Sequence, residues 1–387
     1  MAFIPRRIVD HLAELGTFYP VISLTGPRQA GKTTLLKRLY PDYRYVSLEK
    51  FAVREAALRD PAAFLKEYDD KVIFDEAQRV PELFSALQVI IDEDRRPGRF
   101  ILSGSQNFLM RRSITQSLAG RVGIARLLPL DNGELRDAGK LTNSYQQALF
   151  QGSYPGLVES GFAPRLFYDG YLATYIERDV SELISPANLD LFRLFLRVVA
   201  TYAGQPLNMT KVAKSVGITL PTVRSWLAIL EQSYLVFRLP PFFRNLGKRL
   251  TKTPKIYFYD TGLLCYLLGL ETLPEVNNYN DLGALFENFI VADAHKAMYH
   301  QGFRPRLYYY RDASKLEVDL VADHGTSAKL WEIKASSNFN QRMVGPVQKV
   351  ASFWDRPVST YLVYTGEEQN LAGQTQKVNW RELRWER

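Results

Sequence analysis

Cysteine is nearly absent from this chain: Cys265 stands alone among 387 residues, so no internal disulfide is available. Histidine is scarce as well, with four in total, which argues against a Cys/His zinc site. No apolar run approaches the roughly 20 residues of a membrane-spanning helix, and the N-terminus shows no signal-peptide pattern. A reducing cytoplasm is the expected compartment, with no membrane partner. Acidic residues are outnumbered, 41 against 49 Lys and Arg, leaving a formal net charge of +8. An acidic partner fits that balance, nucleic acid first, although the same charge serves solubility alone. The hydrophobic fraction of 46% and charged fraction of 23% describe a globular chain long enough for two or three cores.

What the chain does have is Gly26-Pro27-Arg28-Gln29-Ala30-Gly31-Lys32-Thr33, flanked by an apolar run from Val21 to Leu24 and a helical pattern from Thr34 to Leu39. This is the strand, glycine-bounded loop and helix of a phosphate-binding loop, G-x-x-x-x-G-K-[ST]. The glycines let successive N–H groups converge on an anion, and the helix adds its positive N-terminus. In that pattern Lys32 reaches the β- and γ-phosphates and Thr33 holds Mg²⁺. Two further buried strands are expected, Lys71 to Phe74 ending in Asp75-Glu76, and Arg99 to Leu102 ending in Ser103-Gly104-Ser105. Parallel strands of open α/β sheets present their ligands at the C-terminal edge, so Asp75 is expected in the Mg²⁺ shell and Glu76 at the attacking water. Ser105 or Gln106 either touches the γ-phosphate or water, or is an ordinary polar strand end. Arg121, before the strand Val122 to Leu128, reads equally as an arginine finger acting in trans or as a structural salt-bridge arginine. Helices are expected over Phe51 to Tyr68 and Pro81 to Asp94.

These residues, with Thr34, Ala77-Gln78 and Ser117-Leu118-Ala119-Gly120-Arg121, resemble a bacterial and archaeal AAA-type ATPase family with a nuclease-like C-terminal domain of unknown function. The resemblance implies ATP as the nucleotide, and no Asn-Lys-x-Asp guanine-reading motif is present. It also implies that the helix from Phe167 to Leu183 is a lid over the nucleotide. There Arg178 is a candidate second sensor of the phosphates, or an intrahelical partner of Glu177 or Glu182.

Beyond the lid, Asn208 to Val216, Gly217 and Thr219 to Leu230 read as helix-turn-helix, with Tyr234 to Leu239 as the strand of a wing. Thr219, Thr222, Arg224 and Ser225 face either a major groove or a protein neighbour. Arg238, Arg244, Lys248, Arg249, Lys252 and Lys255, interleaved with Phe242, Phe243 and Tyr257, read as a phosphate-and-stacking surface or a solvated basic loop.

The last part carries a long helix from Leu282 to His300 with Glu287 near its start, then strands at Arg306 to Arg311, Glu317 to Ala322 and Lys329 to Lys334. Alternation puts Glu317 with Asp319, and Glu332 with Lys334, on shared faces. A helical acid, a strand acid and Glu-x-Lys on the next strand resemble the PD-(D/E)XK nuclease pattern. The resemblance implies Glu287, Asp319 and Glu332 as metal ligands and Lys334 as a catalytic cation, with Glu317 competing for the same face. A helix from Asn338 to Trp354, bringing Gln341 or Gln348 to the site, and a strand from Thr360 to Tyr364 complete the expectation. The basic tail from Val378 carries no pattern.

The expected architecture is thus α/β: an AAA-type P-loop parallel sheet over 1–130, a helical lid over 131–187, a winged helix-turn-helix over 188–254 and a restriction-nuclease-like α/β domain over 255–387. A homo-oligomer and a protein partner are compatible with it.

Overall fold

The computed structural model describes residues 3–105, 114, 117–242 and 253–385, the side chain of Arg178 excepted. Five parallel strands form the N-terminal sheet: β1 (Val21–Thr25), β2 (Arg44–Ser47), β3 (Val72–Asp75), β4 (Phe100–Gly104) and β5 (Val122–Arg126), in the order β2-β3-β4-β1-β5. The three central strands are buried at every position, as unbroken apolar runs demand when helices cover both faces. Phe74, Phe100 and Leu102 meet Leu83, Phe84, Leu87 and Ile91 on one side. Ile22, Leu24, Ile73 and Ile101 meet Ile8, Leu12, Leu35 and Leu36 on the other. Because every strand runs the same way, Thr25, Asp75 and Gly104 end at one edge.

Short helices follow, then the pair Met209–Val216 and Leu220–Gln232 joined at Gly217, whose φ of 78° needs no Cβ. Asn208 and Thr219 cap them, accepting from the backbone N–H of Lys211 and Thr222. An antiparallel ribbon of β6 (Val236–Leu239) and β7 (Lys255–Phe258) comes next. Lys255, the first residue of the segment expected as the last domain, thus pairs with Leu239 of the middle segment.

The helix Leu282–His300 packs against a six-stranded mixed sheet of β8 (Leu307–Arg311), β9 (Glu317–Asp323), β10 (Ala328–Lys334), β11 (Val358–Tyr364), β12 (Leu371–Ala372) and β13 (Thr375–Asn379), ordered β12-β13-β11-β10-β9-β8. β8, β9 and β10 are antiparallel neighbours, whereas β10, β11 and β13 run parallel. A parallel step needs a crossover, and the helix Gly345–Ala351 supplies it between β10 and β11.

Three expected helices are interrupted. Pro61 begins a second helix after Phe51–Arg59, with Asp60 as its cap. The helix expected over Phe167 to Leu183 runs from Pro164 to Tyr175 and gives way to a π-helical turn at Ile176–Val180. The final helix begins only at Gly345-Pro346, after a 3₁₀ turn at Gln341–Met343. Among the described residues no helix is long and apolar enough to cross a membrane.

Candidate nucleotide and carboxylate sites

The phosphate-binding loop leaves β1 at Thr25 and enters the helix Lys32–Leu39 through Gly31, at φ 91°. Gly26 passes so close to the Leu127 carbonyl that a Cβ there would overlap it. The Lys32 ammonium is buried and donates to the carbonyls of Gly26 and Pro27 at 2.8 Å each. Burial draws its pKa down, opposed by Glu76 and Asp75. Thr33 Oγ1 donates to Asp75 Oδ2 at 2.8 Å, so the two groups expected to share one cation already touch. Two residues that sequence gave no role complete this corner. Tyr45 donates to Asp75 Oδ2 at 2.5 Å, and Ser103 donates to Oδ1.

Glu76 sits just past the end of β3 with φ 56°, a left-handed conformation that costs a non-glycine residue about 1 kcal/mol or more. Gln78 donates to its Oε2, and Ser105 does so at 3.3 Å, joining Ser105 to the acid rather than leaving it a bare strand end. A cleft of about 610 Å³ opens here, lined by Arg28, Gln29, Gly31, Lys32, Thr33, Thr34 and Glu76. Phe3, Ile4, Pro155, Gly156 and Glu159, to which sequence gave no nucleotide role, also line it. Arg28 pairs with Asp179 of the π-helical turn, at 2.7 and 2.6 Å. Arg6 braces the loop from behind, donating to Ala30 O at 2.8 Å, Leu128 O at 2.6 Å and Glu134 Oε1 at 3.1 Å.

Arg121 lies at the opposite edge of the sheet. It precedes β5, and Val122 pairs with Val21 while Arg126 pairs with Thr25, so the strand's length separates it from the loop of its own chain. Its guanidinium forms a two-pronged pair with Asp92, 2.7 Å on each side. The Arg178 side chain and Gln106 lie outside the described residues, as do Phe243, Arg244, Lys248, Arg249 and Lys252. The rest of the basic stretch is turned inward or paired: Arg238 binds Glu231 at 2.7 and 2.9 Å, and Lys255 and Tyr257 are buried. On the helix Leu220–Gln232, Thr219 and Thr222 bond each other, whereas Arg224 and Ser225 are exposed.

In the C-terminal domain Leu320 pairs with Trp331, which leaves Asp319 and Glu332 side by side. Lys334 Nζ lies 2.6 Å from Glu332 Oε1 and 3.6 Å from Asp319 Oδ2, and Asp319 Oδ2 accepts from Ile333 N at 2.8 Å. Glu332 is buried, its Oε2 has no hydrogen-bond partner, and burial with Asp319 beside it pushes its pKa up to about 8. A carboxylate oxygen left unpartnered in such a place suits a divalent cation. Glu287 is engaged differently: Lys255 Nζ at 2.9 Å and the Tyr257 hydroxyl at 2.6 Å both donate to its Oε1. Glu317 pairs with Lys255 at 2.5 Å and Arg311 at 3.3 Å. Gln348 faces Ala372 O and Thr375 Oγ1, not the carboxylates.

Among the described residues, the group of three metal-type side chains whose ligand atoms lie within 4.8 Å of each other is Asp131, Glu134 and His300, elsewhere in the molecule. Its valences are already used: His300 Nδ1 pairs with Asp131, Nε2 accepts from Leu128 N, and Arg6 takes Glu134. It is a buried polar joint between the first and last domains.

A parallel sheet with Gly26–Thr34 and Asp75-Glu76 converging at its C-terminal edge defines a P-loop ATPase domain of AAA type. Residues 19–136 match the family described as an AAA domain, residues 142–273 a domain of unknown function (DUF8612), and residues 282–382 a second such domain (DUF4143). Uncharacterised proteins of Mycobacterium tuberculosis (strain H37Rv) and Mycobacterium bovis are each 32% identical over 321 residues, 82% of this chain and 71% of theirs. The chain belongs to the family of these mycobacterial proteins. Among solved structures, the Walker-type ATPase PABY2304 of Pyrococcus abyssi overlays with a TM-score of 0.45 and 16% identity, over 68% of this chain and 96% of that one. That likeness is too partial to bear on function.

Proposed function

We propose that this protein hydrolyses ATP with Mg²⁺ and couples the nucleotide state to binding of nucleic acid, DNA being the expected polymer. The observation that carries the hydrolytic part is the 2.8 Å contact of Thr33 Oγ1 with Asp75 Oδ2, with Glu76 held beside it by Gln78 and Ser105. Thr33 and Asp75, directly or through water, fit a magnesium ion, which when bound neutralises phosphate charge and orients it. Lys32 leaves its own loop carbonyls for the β- and γ-phosphates, and Glu76 orients the attacking water and takes its proton. Phe3, Ile4 and Pro155, which line the cleft, accept the base, and Glu159 accepts from an exocyclic amine. In an oligomer Arg121 is offered to the site of a neighbouring copy.

The nucleic-acid part is supported by the capped helix pair with its ribbon, which resembles a winged helix, and by exposed Arg224 and Ser225 on the second helix. It is also supported by the strand order of the last domain with Asp319, Glu332 and Lys334, which resembles a nuclease. Hydrolysis by the wild type, Lys32→Ala and Glu76→Gln, with and without DNA, is the test. We expect loss of binding in the first variant and, in the second, retained binding with turnover lowered about 10²-fold or more. Hydrolysis unchanged by both substitutions sinks the mechanism, and hydrolysis indifferent to every DNA removes the nucleic-acid part.

One observation favours a second reading, an ATP-regulated adaptor that binds a protein and cuts nothing. Glu287, Glu317, Asp319 and Glu332 each already have an ion-pair partner in Lys255, Arg311 or Lys334. Divalent-dependent cleavage lost in Asp319→Ala and Lys334→Ala decides for the nuclease.

A further inference from the structure

The C-terminal carboxylates receive one side chain that the nuclease-like pattern does not supply. Lys255 enters from β7, on the ribbon of the middle segment, with its side chain 3% exposed. Its ammonium lies 2.9 Å from Glu287 Oε1 and 2.5 Å from Glu317 Oε1. Tyr257 follows two residues later on the same face of the strand and donates to the same Glu287 oxygen at 2.6 Å.

The four acids therefore fall into two halves. Glu287 and Glu317 share Lys255, and Arg311 adds a second cation to Glu317 at 3.3 Å. Asp319 and Glu332 share Lys334, which is 37% exposed, and Glu332 Oε2 remains buried without a partner. An ammonium bridging two carboxylates at these distances takes the place a hard cation would occupy between them, and a tethered one is never lost to dilution or chelation.

We propose that Lys255 is a built-in cation filling the Glu287–Glu317 half of the site, so that the domain takes one divalent ion, at Asp319 and Glu332, and not two. The proposal rests on the nuclease-like reading of the domain. Its consequence is that the symmetric two-ion clamp on a phosphodiester is closed to this chain while the ribbon stays in place. Glu287, which the resemblance made a metal ligand, becomes the anchor of the ribbon.

The test counts Mn²⁺ bound to the nucleotide-free full-length chain by electron paramagnetic resonance, so that any ion at Thr33 and Asp75 is common to all samples. Asp319→Asn is expected to lose one ion and Glu287→Gln none. Lys255→Met is expected to gain one, and Lys255→Met/Glu287→Gln to lose that gain. If Glu287→Gln releases an ion from the wild type, or Lys255→Met takes up no more than the wild type, the proposal is overturned. If Asp319→Asn changes nothing while Lys255→Met still gains an ion, the nuclease-like reading fails and the role of Lys255 stands. Should Lys255→Met fold poorly, its melting temperature is followed with Mn²⁺ and with EDTA. Recovery of several degrees in Mn²⁺, absent from the wild type, supports the built-in cation, and no recovery overturns it.

Discussion

Arg28 of the phosphate-binding loop grips Asp179 of the π-helical turn with Nε and Nη2, at 2.7 and 2.6 Å. The hydrogen bonds to Asp179 hold the guanidinium pKa above its usual value despite burial. One arginine thus joins the phosphate-binding loop motif to the turn that ends the helix Pro164–Tyr175. A phosphate arriving at the loop competes with Asp179 for the same planar donor fork. Asp179→Asn should cost roughly 1.5–3 kcal/mol of stability in urea titrations, the range for a hydrogen bond to a charged group. Because it frees Arg28, it should leave ATP affinity equal or higher, whereas Arg28→Ala should lower it. Calorimetric titrations that show equal weakening in both variants would mean that the pair only fastens the π-helical turn to the loop.

Arg6 is the second brace. Its partners Ala30, Leu128 and Glu134 belong to the loop, to the chain beyond β5 and to the first helix after it, and both ends of the Arg6–Glu134 pair are buried. Burial on its own would raise the Glu134 pKa, but the Arg6 guanidinium beside it holds it well below the carboxylate range. Removing the guanidinium leaves that charge stranded. Arg6→Met should therefore destabilise by about 3–5 kcal/mol and weaken ATP binding as the Ala30 carbonyl loses its support. Unfolding curves and nucleotide titration on the same variant check both.

The sequence was most legible where a pattern is local. β9 and β10 lie within a residue of their expected bounds because each is a short, largely apolar run whose ends are marked by charged or loop-forming residues. The phosphate-binding loop was legible because its glycines, lysine and threonine are contiguous. Lys255 was misread for the converse reason. No acid lies between Arg238 and Lys255, so the stretch looked solvated, while its partners Glu287 and Glu317 come 32 and 62 residues later, on another domain. Arg6 likewise serves an acid 128 residues away. Glu76 adopts a left-handed turn that its residue type disfavours, so propensity cannot point to it.

His295 gives the fold a pH dependence. It is stacked on Phe237 at 4.1 Å between centroids, shares a hydrogen bond with the Tyr259 hydroxyl at 3.0 Å and faces Tyr299, with Arg126 nearby. Burial, with Arg126 adding to it, pulls its pKa from 6.5 down to about 3. The folded imidazole is therefore neutral where the unfolded one takes a proton. Its share of stability is complete above pH 6.5 and falls as the pH drops from 6.5 toward 3, by up to about 1.4 kcal/mol per unit. Denaturant titrations from pH 7.5 to 4.5 should show this slope in the wild type and a shallower one in His295→Phe. Equal slopes would place the acid sensitivity elsewhere.

The tail beyond Val378 carried no pattern, yet it closes the C-terminal core. Trp385 donates its indole N–H to Asp293 Oδ2 at 2.7 Å and packs 5.4 Å from Trp331, while Gln301 donates to its carbonyl at 2.9 Å. Asp293 also accepts from the Asn132 backbone at 2.6 Å, so the tail reaches the helix that leads away from the nucleotide sheet. Two effects are joined in one residue and two substitutions separate them. Trp385→Phe keeps an aromatic ring in the gap but leaves Asp293 Oδ2 without its donor, a cost of about 1–3 kcal/mol. Trp385→Ala empties the site as well and should cost about 3–5 kcal/mol. If both variants lose the same amount in urea unfolding, the hydrogen bond to Asp293 is the whole contribution. If Trp385→Phe is neutral, the ring alone holds the tail, and the link through Asp293 to Asn132 carries no stability.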